Sequence, residues 1–235
     1  MTTDLRLPDT TLSGPSPYRQ VAPSTTEDTA TRPRAQTVAQ GGAPDVLADT
    51  WSPGCAAAIW QRRPQAGLLE WLEALPPESL PETRLVLRPD QVESRLEALC
   101  APRGTTDASY GSLLAGDIGI LARLFARIMK TDKVTLRLDV LHDNACRKFH
   151  LDHVPARLLC TYRGRGTEYG RSHAGEDPRE IRRLPTGAVG LFRGRLWPGP
   201  EHSGIVHRSP QIAGLGETRL LLVIDPAKED DERPS

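Results

Sequence analysis

Apolar and polar residues alternate strictly through Val134-Thr-Leu-Arg-Leu-Asp-Val-Leu141, the period-two pattern of a strand with one face buried. His142-Asp-Asn144 supplies turn residues, and Cys146 to Asp152 reads as extended again. Arg157-Leu-Leu-Cys-Thr-Tyr162 is a short apolar strand that breaks at Gly164, Gly166 and Gly170, in a loop built around Gly-Thr-Glu-Tyr169. Ala188-Val-Gly-Leu-Phe192 and Leu196-Trp197 predict one or two further strands before the turn Pro198-Gly-Pro200, and Ile205-Val-His207 another. Arg219 opens Leu220-Leu-Leu-Val-Ile224, an apolar run with the length of a buried strand. Six to eight short strands with Gly/Pro turns and no helical period predict an antiparallel sandwich or barrel over residues 132–226.

Upstream the period changes. Leu68, Trp71, Leu72 and Leu75 fall on one face of a helix over residues 64–75. Pro89-Asp-Gln-Val-Glu93 reads as a cap opening a second helix, with Val92, Leu96 and Leu99 inside. Ser112 to Met129 carries the clearest stripe, Leu114, Ile118, Leu121, Phe125 and Ile128. Residues 47–131 are therefore expected to be a helical region packed on the outside of the β domain. Residues 1–46 are rich in Thr, Pro, Ser, Ala and Gly with few large apolar side chains, the composition of a disordered segment. The charged tail, residues 227–235, reads the same way.

Whole-chain quantities exclude some classes. Lys+Arg and Asp+Glu both total 30, so the formal net charge is zero and nothing indicates a nucleic-acid partner. No apolar run approaches the roughly 20 residues that span a bilayer, and the first residues lack a secretory signal pattern; a cytoplasmic location is the expectation. Cys55, Cys100, Cys146 and Cys160 are scattered without a Cys-x-x-Cys pair, as expected of reduced thiols. A nucleophile elbow and the His-Glu-x-x-His zinc pattern are both missing.

The candidate chemistry lies in His150-Leu151-Asp152 and in His207, 55 residues beyond Asp152. On a strand, residues two apart project to the same side, so His150 and Asp152 would share a face. Two imidazoles and a carboxylate on one side of a metal leave the opposite positions open, the ligand set of non-haem Fe(II) oxygenases. On an unbroken strand Cys146 would share that face too, and a thiolate would favour zinc. Glu168 reads as a solvated loop residue. Arg163, Arg165 and the stretch from Arg179 to Arg183 read as charged loops near the presumed mouth, with steering of an anionic substrate as the alternative.

In order, these segments are His-x-Asp, an apolar strand, a Gly-Thr-Glu loop, Gly-x-Val-x-Leu-Phe, and His-x-x-Pro followed by Gly-x-x-Arg-Leu-x-Leu. This order resembles the double-stranded β-helix of 2-oxoglutarate/Fe(II) dioxygenases. Within about residues 50–226, Phe-His-x-Asp…Arg-Leu-Leu-x-Thr-Tyr-x-Gly-x-Gly-Thr-Glu…His-Arg-Ser-Pro is similar to an uncharacterised bacterial domain family. The resemblance implies an α+β protein, a jelly-roll or cupin-like barrel buttressed by N-terminal helices. It implies Fe(II) held by His150, Asp152 and His207, and 2-oxoglutarate as small-molecule cosubstrate. Its far carboxylate would be gripped by Arg219, twelve residues past His207, with Thr161 and Tyr162 as further donors. An arginine suits that task because its planar guanidinium donates two parallel charge-assisted bonds. The chain departs from the pattern at Leu221, where the family often has Ser, and Arg208 competes with Arg219 for the clamp. The alternative is a cupin-like zinc-binding protein of metal homeostasis, using the same triad with Cys146 and no cosubstrate.

Overall fold

The computed structural model describes residues 32–100, 108–173 and 175–228. In chain order the elements are strands β1 (Arg34–Ala35) and β2 (Thr37–Gly41), a 3-10 segment Pro44–Trp51, β3 (Cys55–Trp60), helix α1 (Leu68–Ala74), β4 (Thr83–Leu87), and helices α2 (Val92–Cys100) and α3 (Ala108–Met129). The rest is β: β5 (Val134–Leu141), β6 (Ala156–Arg163), β7 (Glu168–Arg171), β8 (Arg182–Arg183), β9 (Val189–Arg193), β10 (His202–Ser203), β11 (Ile205–Arg208) and β12 (Arg219–Pro226).

A seven-stranded sheet runs β2-β3-β9-β6-β12-β5-β4 and is antiparallel except where β2 pairs with β3. A three-stranded sheet, β11-β7-β8, faces it, and β1 pairs with β10. Strand alternation divides the core in two. Leu136 and Leu138 of β5, Leu158, Cys160 and Tyr162 of β6, and Leu220, Leu222 and Ile224 of β12 pack on the helices, where Leu114, Ile118, Leu121 and Phe125 of α3 are fully buried. Their neighbours Leu159, Leu221 and Val223, with Ala57, Ile59 and Phe192, meet Tyr169 and Ile205 of the small sheet. The order is helices, large sheet, small sheet.

The expected mixed architecture is present, with two corrections of extent and one of closure. The segment expected to be disordered holds β1 and β2 and the start of the 3-10 turn in its described part, while residues 1–31 lie outside the described residues. Its small side chains fill an edge: Ala35 is fully buried. The expected helical region contains β3 and β4, both within the large sheet. Among the described residues the strands form an open sandwich and not a closed barrel, since β2 and β4 are left as free edges. Leu196-Trp197 is a turn and forms no strand.

Candidate metal centre

The small sheet builds the site by extending one strand. His207 lies on β11, and beside it the chain at His150 makes an isolated antiparallel bridge. The two residues exchange both backbone bonds, His150 N–H to His207 O at 3.0 Å and His207 N–H to His150 O at 3.1 Å. Residues opposed in this way present their side chains on the same face, and the two imidazole centroids are 4.8 Å apart. Asp152 follows two residues on, carried by a segment fastened to the end of β9. Arg195 N–H donates to Asp152 O at 2.8 Å, and Leu196 N–H to Val154 O at 3.1 Å. Gly194 permits this docking: a Cβ there would fall 2.0 Å from Val154 O.

Candidate ligand atoms of His150, Asp152 and His207 lie within 4.8 Å of one another. His207 Nε2 is 3.0 Å from Asp152 Oδ2, and His150 Nε2 is 3.5 Å from Oδ1. Asp152 is 7 % exposed, yet Oδ2 has no aligned hydrogen bond. A buried carboxylate oxygen facing an imidazole nitrogen without a bond between them is the arrangement a shared cation would satisfy. His150 Nδ1 lies 2.9 Å from Lys148 O; because a carbonyl only accepts, that nitrogen carries the proton and Nε2 keeps its lone pair. The donor set, two imidazoles and one carboxylate, fits Fe(II) or Zn(II).

Electrostatics follow from burial. Burial alone would raise the Asp152 pKa, but its contacts with His150, His207 and Arg157 outweigh it and hold the carboxyl well below the usual range. Asp152 in turn raises His150, whereas burial lowers His207 despite the same carboxylate. Sequence reasoning missed the group that fixes Asp152. Arg157 on β6 donates Nη1 to Asp152 Oδ1, while its Nε and Nη2 grip Asp225 of β12 at 2.8 and 2.7 Å. Both positions share strand parity with inward residues, Leu159 and Thr161 on β6 and Leu221 and Val223 on β12, and that parity is the signal that would have found them.

Arg219 is fully buried on the same inner face. Its Nε donates to Arg165 O at 2.7 Å, and its Nη atoms reach Ser209 Oγ at 3.5 Å and Thr161 Oγ1 at 3.4 Å. All three partners are neutral, and among the described residues no carboxylate pairs with it. Burial pulls its pKa down to about 10. Ser209 is two residues past His207, so this guanidinium and the triad are built on the same segment.

Tyr162 is a correction. It alternates with Thr161, faces the helices, and donates its hydroxyl to Asp117 of α3, so it cannot share a ligand with Arg219. Cys146 is a second. The chain bends between His142 and Phe149, with Ala145 at φ 39°, and leaves Cys146 exposed and outside the ligand group. Cys55 and Cys160 are buried free thiols. Arg208 is occupied: its Nε bonds Glu168 Oε2 at 2.9 Å, and its guanidinium lies over the Phe149 ring. Glu168 is accordingly no solvated loop residue; it is buried on β7 and also binds Arg183 at 2.8 Å.

Comparison with known proteins places this architecture. The chain belongs to the family described as "Protein of unknown function (DUF1826)", whose profile matches residues 41–225. Its fold is similar to the crystal structure of the dioxygenase for auxin oxidation from rice, with a TM-score of 0.50 and 14 % identity over 83 % of this chain and 84 % of that one. The Arabidopsis thaliana dioxygenase for auxin oxidation 1, in its binary complex with 2-oxoglutarate, gives a TM-score of 0.49 and 11 % identity over 85 % and 95 % of the two chains. A Pseudomonas putida prolyl-4-hydroxylase gives 0.40 and 14 % over 77 % and 96 %. No curated protein sequence matches the chain.

Proposed function

We propose that the protein is an Fe(II)- and 2-oxoglutarate-dependent dioxygenase built on an open double-stranded β-helix. The observation that carries this reading is Arg219: a guanidinium fully buried on the large-sheet face turned to the small sheet that carries His150 and His207, hydrogen-bonded only to neutral oxygens. Burying a cation with no carboxylate bonded to it is costly, and a carboxylate ligand offsets that cost. In this reading His150, Asp152 and His207 hold the iron, and Arg219 and Thr161 take the far carboxylate of 2-oxoglutarate. The pair supplies the oxidative chemistry when bound: dioxygen converts 2-oxoglutarate to succinate and carbon dioxide, delivering one oxygen atom to a substrate. The chain's own task is placement. Arg157 orients the Asp152 carboxylate, Lys148 O fixes the His150 tautomer, and Leu159, Leu221 and Val223 keep water from the inner face.

The test is to load the full chain with Fe(II) without oxygen, add 2-oxoglutarate, then admit oxygen and measure succinate. Wild type should release succinate slowly without any added substrate. His150→Ala, Asp152→Ala and His207→Ala should each lose most of the metal, because two remaining ligands make a poor site. Iron-loaded protein that neither binds nor decarboxylates 2-oxoglutarate ends this reading. Tight stoichiometric zinc with no 2-oxoglutarate binding would favour the homeostasis alternative, which has lost its thiolate ligand with Cys146.

A further inference from the structure

A cleft of about 550 Å³ lies beside the strand that carries His207, and none of the triad, Arg219 or Thr161 lines it. Its floor is apolar and its rim cationic. Tyr169 and Ile205, both buried, form the floor with the half-buried Val38, and the exposed Arg171, Arg179 and Arg182 stand around the opening. The floor adjoins the metal ligands directly. Tyr169 is the cross-strand partner of His207, and Ile205 is two residues before His207 on the same strand, so all three side chains share one face. Phe192 bridges them, its ring 5.9 Å from that of Tyr169 and 5.1 Å from that of His207.

The charge around this cleft is not balanced among the described residues. Arg171 donates to a carbonyl, Gln36 O, at 3.2 Å. Arg182 pairs with Glu180 at 2.8 Å, an exposed pair of small value. Arg179 meets no carboxylate among the described residues. Three guanidinium groups thus face one carboxylate. A second cleft of similar size, around Arg163, Arg165 and Arg183, shows the opposite condition. There Arg163 lies 3.8 Å from Glu73 besides donating to the carbonyls of Leu72 and Leu75, Arg165 pairs with Glu217, and Arg183 with Glu168. Two clefts of like size and like composition therefore differ in whether their arginines are neutralised.

We propose that the cleft over Tyr169 and Ile205 binds a small organic anion, a carboxylate or phosphate ester with an apolar body. Resting on the dioxygenase reading, this anion is the class of primary substrate. The apolar body covers the Tyr169–Ile205 floor beside His207, and the anionic group stays at the rim with Arg171 and Arg179. Volumes of roughly 300–1,000 Å³ with apolar walls and a few charged groups are what small-ligand sites require, and arginine suits both oxyanions because its fork matches their geometry.

The test uses the full chain and three probes of one shape class: 3-phenylpropionate, phenyl phosphate and the neutral 3-phenylpropionamide, titrated by ligand-observed NMR with 2-oxoglutarate present at saturation. At least one anion should bind ten-fold or more tighter than the amide, and which anion does so separates carboxylate from phosphate substrates. Arg171→Gln with Arg179→Gln should remove that preference, while Arg165→Gln in the other cleft should leave it. All three arginines are exposed or paired at the surface, so unchanged thermal melts confirm intact variants. Equal binding of anion and amide, no binding of any probe, indifference to the double variant, or displacement of the probe by 2-oxoglutarate would each overturn the proposal. None of these measurements needs iron, so succinate release judges the dioxygenase reading separately.

Discussion

On the helix-facing side of the large sheet, Arg62 is buried against Asp117 of α3, Nη2 to Oδ2 at 2.8 Å with a second bond from Nη1, and Tyr162 donates to the same carboxylate. On the opposite side Arg219 is buried among neutral oxygens. Burial lowers the pKa of both. Asp117 reverses the effect and drives Arg62 above the usual range, whereas Arg219 falls to about 10. In the proposed reading, the difference separates a charge that belongs to the architecture from one held for a ligand: a paired buried cation is complete, and an unpaired one is complete only with an anion beside it.

Removing a partner from the completed pair should have the largest effect. Asp117→Ala strands Arg62 and is expected to cost about 3–5 kcal/mol of stability, read from the urea unfolding midpoint. Arg219→Met deletes a buried charge to which no carboxylate is bonded among the described residues, and should leave the ligand-free protein equally stable or more so. Comparable losses in the two variants would erase the distinction.

Ligand affinity should divide the other way. Arg219→Ala should weaken 2-oxoglutarate binding by about 1.5–3 kcal/mol, the scale of a hydrogen bond to a charged group, and Arg219→Lys should recover only part. Metal content should hold in both. A larger effect of Arg208→Ala would relocate the clamp. Arg157 lies between the two conditions, since it serves Asp225 and the candidate metal ligand Asp152 at once. Arg157→Gln should lower metal affinity about 10- to 100-fold, as losing a partner of a ligand does, with Asp225→Asn weakening it less; unchanged affinity would make the bridge merely structural.

The smallest effects concern pH in the metal-free protein. His207, lowered by burial, binds its proton more weakly folded than unfolded. Its contribution should therefore grow as pH rises towards about 6.5, by at most about 1.4 kcal/mol per pH unit. His150, raised by its bond to Asp152, contributes fully below about pH 6.5 and loses that contribution as pH rises through its folded value. Differences in urea midpoint between wild type and His207→Gln, and wild type and His150→Gln, should slope in opposite directions. Parallel slopes would contradict the assigned environments.

Much of this was legible in the residues. β5 matches its alternating stretch, Val134–Leu141, because one face is apolar and the other is not. α3 follows its stripe. β3 escaped detection because both its faces are covered, so Cys55-Ala-Ala-Ala-Ile-Trp60 shows no alternation, and half of it is alanine, a weak strand former. β4 and the edge strands β1 and β2 are too short for a period to emerge. The triad was readable as residue types, but its geometry was not: His150 and Asp152 are placed by a single bridge and a docked loop, not by a regular strand. Thr161 and Tyr162 are adjacent, and strand parity alone forbids both from facing the cosubstrate.

β12 is the last of the described strands in chain order, yet it lies between β6 and β5 in the middle of the large sheet. β5 and β6 are paired through it and not with each other. During synthesis their open edges therefore wait for Arg219–Pro226, and pairing of such sequence-distant strands is slow and exposed to aggregation. A chain interrupted between His207 and Arg219 would keep every candidate metal ligand and still lack the strand that joins the two halves of its sheet.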